Sequence, residues 1–415
     1  MATINLKIMD RVWLVSEFYY PVVVTTGYYV TEIADYLSKK GMNVGVISTN
    51  NTYYDSDVIS NKAREFHNGI EVYRVLGKQV DKDSLIKRSL RLLSSSISLF
   101  NLARKQIKEG DEVIILTNPA FFMLFMPLVR KLTKCHYHIL VHDIFPENLV
   151  SLGNLGRKSF LYAFLKKIFD WAYGTADSCI SIGEDMRQVV LRKTKGQNFL
   201  RLITNWADVD EVKPFPKVDT NLFKEMESSL TGKIVFQFAG NLGKAQGLDN
   251  LMNAIDMVKN KDCKFLFVGA GAKRNDIESF AERHENTVYA GFRSRSNQND
   301  FLNACDIGIV TLADGMYGLG VPSKSYNIMA TGKPILYIGE SDSEIALCIK
   351  RYNIGWVVEP NNPSLLKDKI EDILREPSEI QEMGANALAV ANEFFAKNVV
   401  LEQYHDFIKK RFESR

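Results

Sequence analysis

The sequence is poor in the features that mark several classes of protein. It has 5 cysteines in 415 residues, an odd and scattered set without a Cys-x-x-Cys pair, so neither a disulfide framework nor a zinc site is expected. The formal net charge of +3 is too small to favour nucleic acid as a partner. No apolar run approaches the roughly 20 residues that span a bilayer, and no signal peptide is visible. We therefore expect a globular protein with reduced thiols in a cytoplasm.

The chain does contain a repeated alternation of apolar, β-branched runs and amphipathic helices. Strands are predicted at residues 11–16, 43–48, 112–117, 137–141, 234–239, 307–312 and 335–338, and an apolar helix is predicted at 120–131. Strand, helix and strand at this spacing form βαβ units, which build parallel sheets. Because 415 residues are too many for one core, two domains are expected. The prediction is an N-terminal domain over 1–210, a second over 211–390, and a final helix over 391–415 that packs back towards the first.

Glycine-rich turns follow two strands of the second half. Gly240-Asn241-Leu-Gly243-Lys244 follows one strand, and Gly269 follows the next. Glycine allows the backbone to approach a phosphate closely, and Lys244 can add charge. Taken singly, such turns are more often only tight turns. The loop after the first strand lacks Gly-x-Gly-x-x-Gly, so a dinucleotide fingerprint is absent there.

A short helix is predicted between residues 322 and 332. Pro322 and Ser323 open it, with Ser323 as its cap, and Lys324 falls in its first turn. A cation there opposes the helix dipole unless an anion binds beside it. The alternative is a solvated lysine on a capped surface helix, and this segment alone leaves both interpretations open.

Ionisable side chains are concentrated after a strand of the first half. His142, Asp143 and Glu147 follow the run 137–141, at the sheet edge where open α/β sheets bind ligands. A histidine at this place is as readily structural as catalytic.

Two segments of the first half are basic and amphipathic. Residues 78–110 contain eight lysines and arginines, including Lys87, Arg88 and Arg91, against three acids. Residues 157–173 alternate basic residues such as Lys166 and Lys167 with aromatic and aliphatic ones. Such helices either lie on anionic membranes or pack on the core with a solvated basic face.

These segments together resemble the family 4 glycosyltransferases, the retaining, metal-independent group with the GT-B fold. That fold is an α/β architecture of two Rossmann-like domains whose parallel sheets face a central cleft. The resemblance covers nearly the whole chain. It is greatest to bacterial enzymes that add sugars, such as N-acetyl-L-fucosamine, to lipid-linked O-antigen or capsule intermediates. The matching residues are Phe18-Tyr-Tyr-Pro21 with Thr26-Gly27, His142-Asp143 with Pro146-Glu147, Asn205-Trp206-Ala-Asp208, Gly240 to Gly243 with Gln246-Gly247, and Val321 to Lys324 with Met329 to Pro334.

The resemblance implies a role for each of these places. The glycine turn and Lys324 would hold the donor diphosphate, Gly27 would approach it from the other domain, and His142 or Asp143 would face the donor sugar. The implied catalytic residues are His142, Asp143 and Lys324. The implied donor-binding residues are Gly27, Gly240, Asn241, Gly243, Lys244, Gly269, Phe292, Arg293, Gly320, Val321, Pro322, Ser323 and Asn327.

The chain departs from the family at several positions. The family has two glutamates eight positions apart, where this chain has Leu319 and Asn327. Asn327 can still hydrogen-bond a ribose but lacks a carboxylate's charge, and Asp314 or the backbone of 318–320 could replace the first glutamate. Asn241 and Gln246 stand where the family's turn carries basic residues.

The evidence for a metal site in the sequence is thin. Asp-x-Asp, the pattern of metal-dependent glycosyltransferases, occurs at 55/57, 81/83 and 208/210, and none of these follows a clear buried strand. The resemblance accordingly implies no metal and no cofactor, with a UDP-sugar favoured over a GDP-sugar as donor.

The implied function is transfer of a hexosyl or N-acetylhexosaminyl group to a polyprenyl-diphosphate-linked saccharide, for O-antigen or capsule biosynthesis. The protein would lie on the anionic inner face of the cytoplasmic membrane. Two alternatives stay open. One is a UDP-sugar 2-epimerase of the same fold, which needs no acceptor. The other is a non-catalytic subunit that binds nucleotide sugars, made conceivable by the missing glutamates.

Overall fold

A computed structural model describes residues 11–22, 24–51, 60–76, 85–196 and 199–414, with the side chains of 85–89 and 244 left out. Its first sheet has eight strands in the order β3-β4-β2-β1-β5-β6-β7-β8, all parallel except for the antiparallel pair of β3 and β4. Its strands are β1 Val12–Val15, β2 Val44–Thr49, β3 Arg64–His67, β4 Ile70–Val75, β5 Glu112–Leu116, β6 His136–Val141, β7 Ser178–Ser181 and β8 Phe199–Leu202.

The second sheet has six parallel strands in the order β11-β10-β9-β12-β13-β14. Because both of their faces are covered, the central strands of each sheet are almost entirely buried and mostly apolar. The predicted α/β class with two parallel sheets is confirmed. Its strands are β9 Ile234–Ala239, β10 Cys263–Val268, β11 Thr287–Tyr289, β12 Ile307–Thr311, β13 Ile335–Ile338 and β14 Gly355–Val358.

Sixteen α-helices occur in the described residues and cover the sheets. In the first half they are α1 Thr25–Lys39, α2 Leu85–Gln106, α3 Met126–Thr133, α4 Glu147–Ser151, α5 Phe160–Thr175 and α6 Glu184–Thr194. In the second half they are α7 Asn221–Glu225, α8 Glu227–Leu230, α9 Leu248–Met257, α10 Arg274–Arg283, α11 Gln298–Asn303, α12 Lys324–Ala330, α13 Glu344–Tyr352, α14 Pro363–Arg375, α15 Pro377–Glu393 and α16 Lys397–Glu413. Within the described ranges, no helix is both long and apolar enough to cross a bilayer.

Two local features differ from the sequence interpretation. The single helix expected over 120–131 is a 3-10 segment, Ala120–Phe125, followed by α3, because Pro127 is accommodated only in the first turn of a helix. The hairpin of β3 and β4 was not predicted. Its turn is Asn68-Gly69, with φ of 49° and 82°, a pair strongly preferred in two-residue hairpin turns.

The chain crosses between the two sheets twice, once around Ala207 and once around Phe395 to Lys397, and hydrogen bonds join these two crossovers. The Ala207 N–H donates to the Phe395 carbonyl (2.6 Å), and the Lys397 N–H donates to the Ala207 carbonyl (3.1 Å). The last helix, α16, then packs on α1, where Lys40 pairs with Glu402 at 2.6 Å. The C-terminal helix therefore returns to the first sheet and braces both crossovers.

Candidate active site

Lys324 lies where the two halves of the protein meet, and its ammonium has no hydrogen-bond partner among the described residues. Nζ is buried and lies 3.5 Å from the centroid of the Phe238 ring. Contact with an aromatic face returns about 2 kcal/mol to a desolvated cation, less than the several kcal/mol that burying an unpaired charge costs. Burial lowers the pKa of Lys324 to about 7. The surroundings of this ammonium therefore favour an external anion.

The two predicted glycine turns form the wall beside this ammonium. Gly240 has φ 142° and Gly269 has φ 145°. A Cβ on Gly269 would lie 1.9 Å from the Gly240 carbonyl oxygen, and a Cβ on Gly240 would lie 3.3 Å from Lys324 Nζ. Only glycine fits at these points, so the turns and the ammonium approach one another closely.

The remainder of the first turn is compact. A Cβ on Gly243 would lie 3.1 Å from Asn241 Nδ2, so the Asn241 amide folds back over its own turn. The Lys244 side chain lies outside the described residues, and its contact with a donor stays a prediction. The turn lacks the family's basic residue at Asn241, and the structure brings the Lys324 ammonium to the turn from α12 instead.

The backbone of the loop after β6 is hydrogen-bonded to one hydroxyl. Thr117 Oγ1 accepts hydrogen bonds from the backbone N–H groups of His142 (3.2 Å) and Asp143 (3.1 Å). The His142 ring meets the edge of the Tyr29 ring, with centroids 5.8 Å apart. Desolvation lowers the pKa of His142 to about 4. Desolvation by the neighbouring protein atoms also raises the pKa of Asp143 to about 6, although Asp143 lies at the surface and is exposed. At neutral pH this loop therefore presents an uncharged imidazole and a carboxylate.

The N-terminal turn of α1 faces α12. Gly27 is required in that turn, because a Cβ would lie 2.7 Å from the Val22 carbonyl oxygen. Two residues further on, Tyr29 hydrogen-bonds the Ser323 side chain. The expected cap is therefore wrong: Ser323 makes no side-chain cap bond to α12. The Ser323 hydroxyl is hydrogen-bonded to Tyr29. At the start of α12, the side chain that bonds the backbone is Ser325, whose Oγ donates to the Pro322 carbonyl at 2.7 Å.

The segment before Lys324 packs against the first half of the chain. A Cβ on Gly183 would lie 2.7 Å from Val321 Cγ2, and one on Gly318 would lie 2.9 Å from the Asp185 carbonyl oxygen. A Cβ on Gly320 would lie 3.9 Å from the His142 carbonyl oxygen, an ordinary contact. Residues 318–321 thus lie against the His142 loop and α6, so the structure brings the catalytic candidates of both halves together.

Two implied donor-binding residues have their side chains engaged elsewhere. The Asn327 side-chain oxygen accepts from the Asp208 backbone N–H (2.8 Å), which ties α12 to a crossover. The Arg293 guanidinium pairs with Glu225 at 2.6 Å, while Phe292 is 61% exposed. Contacts of these residues with the ribose and base stay predictions. Asp314, offered as a substitute for the first glutamate, accepts from Asn361 Nδ2 (3.0 Å) on the surface.

The sequence interpretation missed a basic cavity of about 370 Å³ beside α4, the short helix that follows the His142 loop. It lies between α4, α5, α6 and residues 315–319, and Arg157, Lys166, Arg192 and Lys193 line it together with Glu147. The basic character of 157–173 was visible in the sequence. The sequence did not show that basic residues of α5 and α6 converge on one cavity.

The Asp-x-Asp pairs give no metal site in the described part of the chain. Pairs 55/57 and 81/83 lie outside the described residues. The Asp208 carboxylate accepts from the Tyr28 hydroxyl (2.6 Å) and pairs with Lys397 (3.1 Å), so it stabilises the crossover.

Comparisons with known proteins agree with this geometry. The family model described as "Glycosyl transferases group 1" matches residues 219–390, which include both glycine turns and Lys324. A protein of Pseudomonas aeruginosa named as a probable glycosyltransferase, WbjE, is 33% identical over 95% of this chain and 97% of its own. WcaI of Escherichia coli K12, named as a colanic acid biosynthesis glycosyl transferase, is 23% identical over 87% of this chain and 93% of its own.

Solved structures resemble the whole fold. HepE of Anabaena, in complex with UDP, has a TM-score of 0.71 at 13% identity, covering 97% of this chain and 100% of its own. Sucrose-phosphate synthase of Thermosynechococcus elongatus has a TM-score of 0.75 at 14% identity, covering 98% of this chain and 100% of its own. At these identities the likeness shows the fold, which is GT-B. With the relative that is 33% identical over nearly its full length, the chain belongs to the group 1 glycosyl transferases.

Proposed function

We propose that this glycosyltransferase binds a UDP-sugar beside Lys324 and transfers the sugar, with retention and without a metal or cofactor, to a polyprenyl-diphosphate-linked saccharide. The observation that carries the proposal is the buried Lys324 ammonium, unpartnered among the described residues and placed against the Gly240 turn. A diphosphate at this turn would supply the missing counter-charge and hydrogen-bond acceptors.

The comparisons support the donor and the pathway class. HepE, of the same fold, was solved in complex with UDP. WcaI is named for the biosynthesis of a polysaccharide, colanic acid. O-antigen or capsule assembly, with a hexosyl or N-acetylhexosaminyl donor, is the corresponding proposal for this chain.

Lys324 has a specific task in this reaction. When the bond between the anomeric carbon and the phosphate oxygen breaks, the departing UDP gains negative charge. A fixed cation in a dry site stabilises that charge more in the transition state than in the ground state. Because the pKa of Lys324 is about 7 in the free protein, binding of the diphosphate will raise it and draw in a proton.

The His142 loop is proposed to act on the sugar. Positive charge develops on the sugar ring as UDP departs, and the Asp143 carboxylate, ionised above pH 6, would stabilise it. His142 stays neutral because its pKa is about 4, so it would hydrogen-bond a sugar hydroxyl without repelling this charge. The acceptor proton would pass to the departing phosphate oxygen, so neither residue has to act as a general base.

A membrane surface is supported by exposed apolar side chains on α5. Phe160 is 87% exposed, and Leu161, Phe164 and Trp171 are 53–54% exposed. Leucines 128 and 132 of the adjacent α3 are 45% and 58% exposed. Aromatic and aliphatic side chains of this kind enter the interface of a bilayer, while a few lysines attract anionic lipid. We propose that the protein lies peripherally on the inner face of the cytoplasmic membrane through this face.

The structure changes which basic residues of the two amphipathic segments are available to bind lipid. Arg91 pairs with the buried Glu17 at 3.2 Å, and Lys166 pairs with Asp170 at 2.5 Å. The side chains of Lys87 and Arg88 lie outside the described residues. Lys167 is exposed on α5 and stays available to lipid.

Turnover by EDTA-treated protein tests the proposal. We expect UDP to be released from a UDP-sugar only when a polyprenyl-diphosphate-linked saccharide is added. A GDP-sugar should not be turned over. Release of an epimerised sugar without acceptor would identify an epimerase. Binding of UDP-sugars without turnover of any acceptor would identify a binding subunit, and recovery of activity only with manganese or magnesium would exclude the metal-free mechanism.

A further inference from the structure

The basic cavity beside the candidate active site is built from both halves of the protein. Arg157 precedes α5, Lys166 lies on α5, and Arg192 and Lys193 lie on α6, while residues 315–319 close the other side. Ser151 Oγ donates to the Gly315 carbonyl (2.7 Å) and joins the two walls. The cavity is therefore a defined space between the domains.

Its charges are only partly balanced. Lys193 is buried and contacts Glu147 (2.8 Å) and Asp170 (2.6 Å), and Lys166 contacts the same two carboxylates. The other two lining cations, Arg157 and Arg192, have no acidic partner among the described residues. Four cations thus face two carboxylates, which leaves an excess of about two positive charges on planar groups suited to phosphate oxygens. A diphosphate esterified at both ends carries one negative charge on each phosphate and matches this excess.

The position of the cavity also matches such a ligand. Residues 315–319 lead directly into Gly320 and Lys324, so Leu319 at the cavity and Lys324 at the donor turn are at most about 18 Å apart along the chain. On the lipid side, α5 contributes Lys166 to the cavity and exposes Phe160 and Phe164 to solvent. One helix therefore spans the distance between an apolar surface and a basic cavity.

We propose that this cavity binds the diphosphate of the lipid-linked acceptor, as a second anion subsite distinct from the donor site at Lys324. The inference rests on the proposed function and names the part of the acceptor that is recognised. The lipid would leave along α5, and the saccharide would extend across residues 315–320 towards the donor sugar. The limited span favours acceptors with a short saccharide.

Binding of farnesyl diphosphate to the full-length protein tests this subsite by calorimetry. Wild type is compared with a double variant, Arg157→Ala with Arg192→Ala, which removes two exposed cations and leaves the Lys193 ion pairs in place. We expect its affinity for farnesyl diphosphate to fall roughly 30- to 100-fold, because two charge-assisted contacts are lost, while its affinity for UDP stays within about twofold. The matched control, Lys158→Ala with Lys195→Ala, removes two exposed charges outside the cavity and should bind both ligands as wild type does.

Several results would overturn the assignment. The arginine variant could bind farnesyl diphosphate as tightly as wild type does, or the control could lose as much affinity for it as the arginine variant. Farnesol could bind as tightly as farnesyl diphosphate, or farnesyl diphosphate could compete with UDP for one site. Failure of the wild type to bind farnesyl diphosphate would do the same. In each case UDP binding still reports on the donor site, so an error in the subsite is distinguished from an error in the proposed function.

Discussion

Replacing Lys324 by methionine should stabilise the fold and abolish donor binding. The unbranched thioether can follow the path of the lysine stem over the Phe238 ring without carrying a charge into the site. A buried ammonium with no partner among the described residues is a burden on the folded state that only a bound anion relieves.

The magnitude follows from the pKa of Lys324. Its ordinary value of 10.5 falls to about 7 in the folded protein, which corresponds to about 5 kcal/mol of lost stability. Between pH 7 and 10.5 the unfolded chain binds more protons than the folded protein, so the cost is complete below pH 7 and shrinks as the pH rises. We therefore expect the Lys324→Met variant to unfold with a free energy up to about 5 kcal/mol higher at pH 6, and about 2 kcal/mol higher at pH 9.

Urea unfolding at pH 6 and pH 9, with UDP titrations on the same samples, measures both effects. Lys261→Met, at an exposed lysine far along the chain from the site, is the control and should change neither stability nor UDP affinity appreciably. UDP should raise the unfolding midpoint of wild type and control but not of Lys324→Met. Wild-type affinity for UDP must also weaken above pH 7, because the bound ammonium then has to acquire a proton. A variant that is less stable at pH 6, or that binds UDP normally, would refute the reasoning.

Three further predictions concern the rest of the site and its surroundings. Asp143 has a pKa of about 6, so the rate should fall below pH 6 as the carboxylate is protonated, and Asp143→Asn should lose roughly 10²–10³ in rate with the acid limb gone. An unchanged acid limb in that variant would remove Asp143 from the mechanism. EDTA should leave UDP affinity unchanged by calorimetry, and a loss restored by a divalent metal would contradict this. Phe160→Ser with Phe164→Ser should weaken binding to anionic vesicles at least tenfold, whereas Phe199→Ser, on the edge strand β8 at a phenylalanine about as exposed as Phe164, should not; equal effects would show that α5 is not the membrane contact.

The glycine turns show how far the sequence reached into the site. Gly240 and Gly269 were recognised because each follows a buried apolar run, and a strand that ends in glycine has few structural alternatives. What their spacing could not show is that the two turns touch, since a Cβ on Gly269 would overlap the Gly240 carbonyl. That contact depends on the pairing of β9 with β10, which is a long-range property.

The role of Ser323 was mistaken for a related reason. Local chemistry favours a serine as the cap of the helix that follows it. In the folded protein the hydroxyl meets Tyr29, almost 300 positions earlier in the chain, and a tertiary partner outweighs the local one.

The sequence by itself determined the two parallel sheets, the sheet edge that carries His142 and the helix start that carries Lys324, because these follow from short-range periodicity and from residues next to strand ends and helix starts. The family resemblance was also visible in the sequence, because it rests on short motifs that occur in the family's order. Tertiary structure decided which cations are free to bind a ligand. Arg91 is neutralised by Glu17 and Lys166 by Asp170, whereas the Lys324 ammonium is buried with no partner in the described structure. Charge is a property of a residue, but its availability depends on whether folding brings an opposite charge within a few ångströms, and that is set by contacts between residues far apart in the chain.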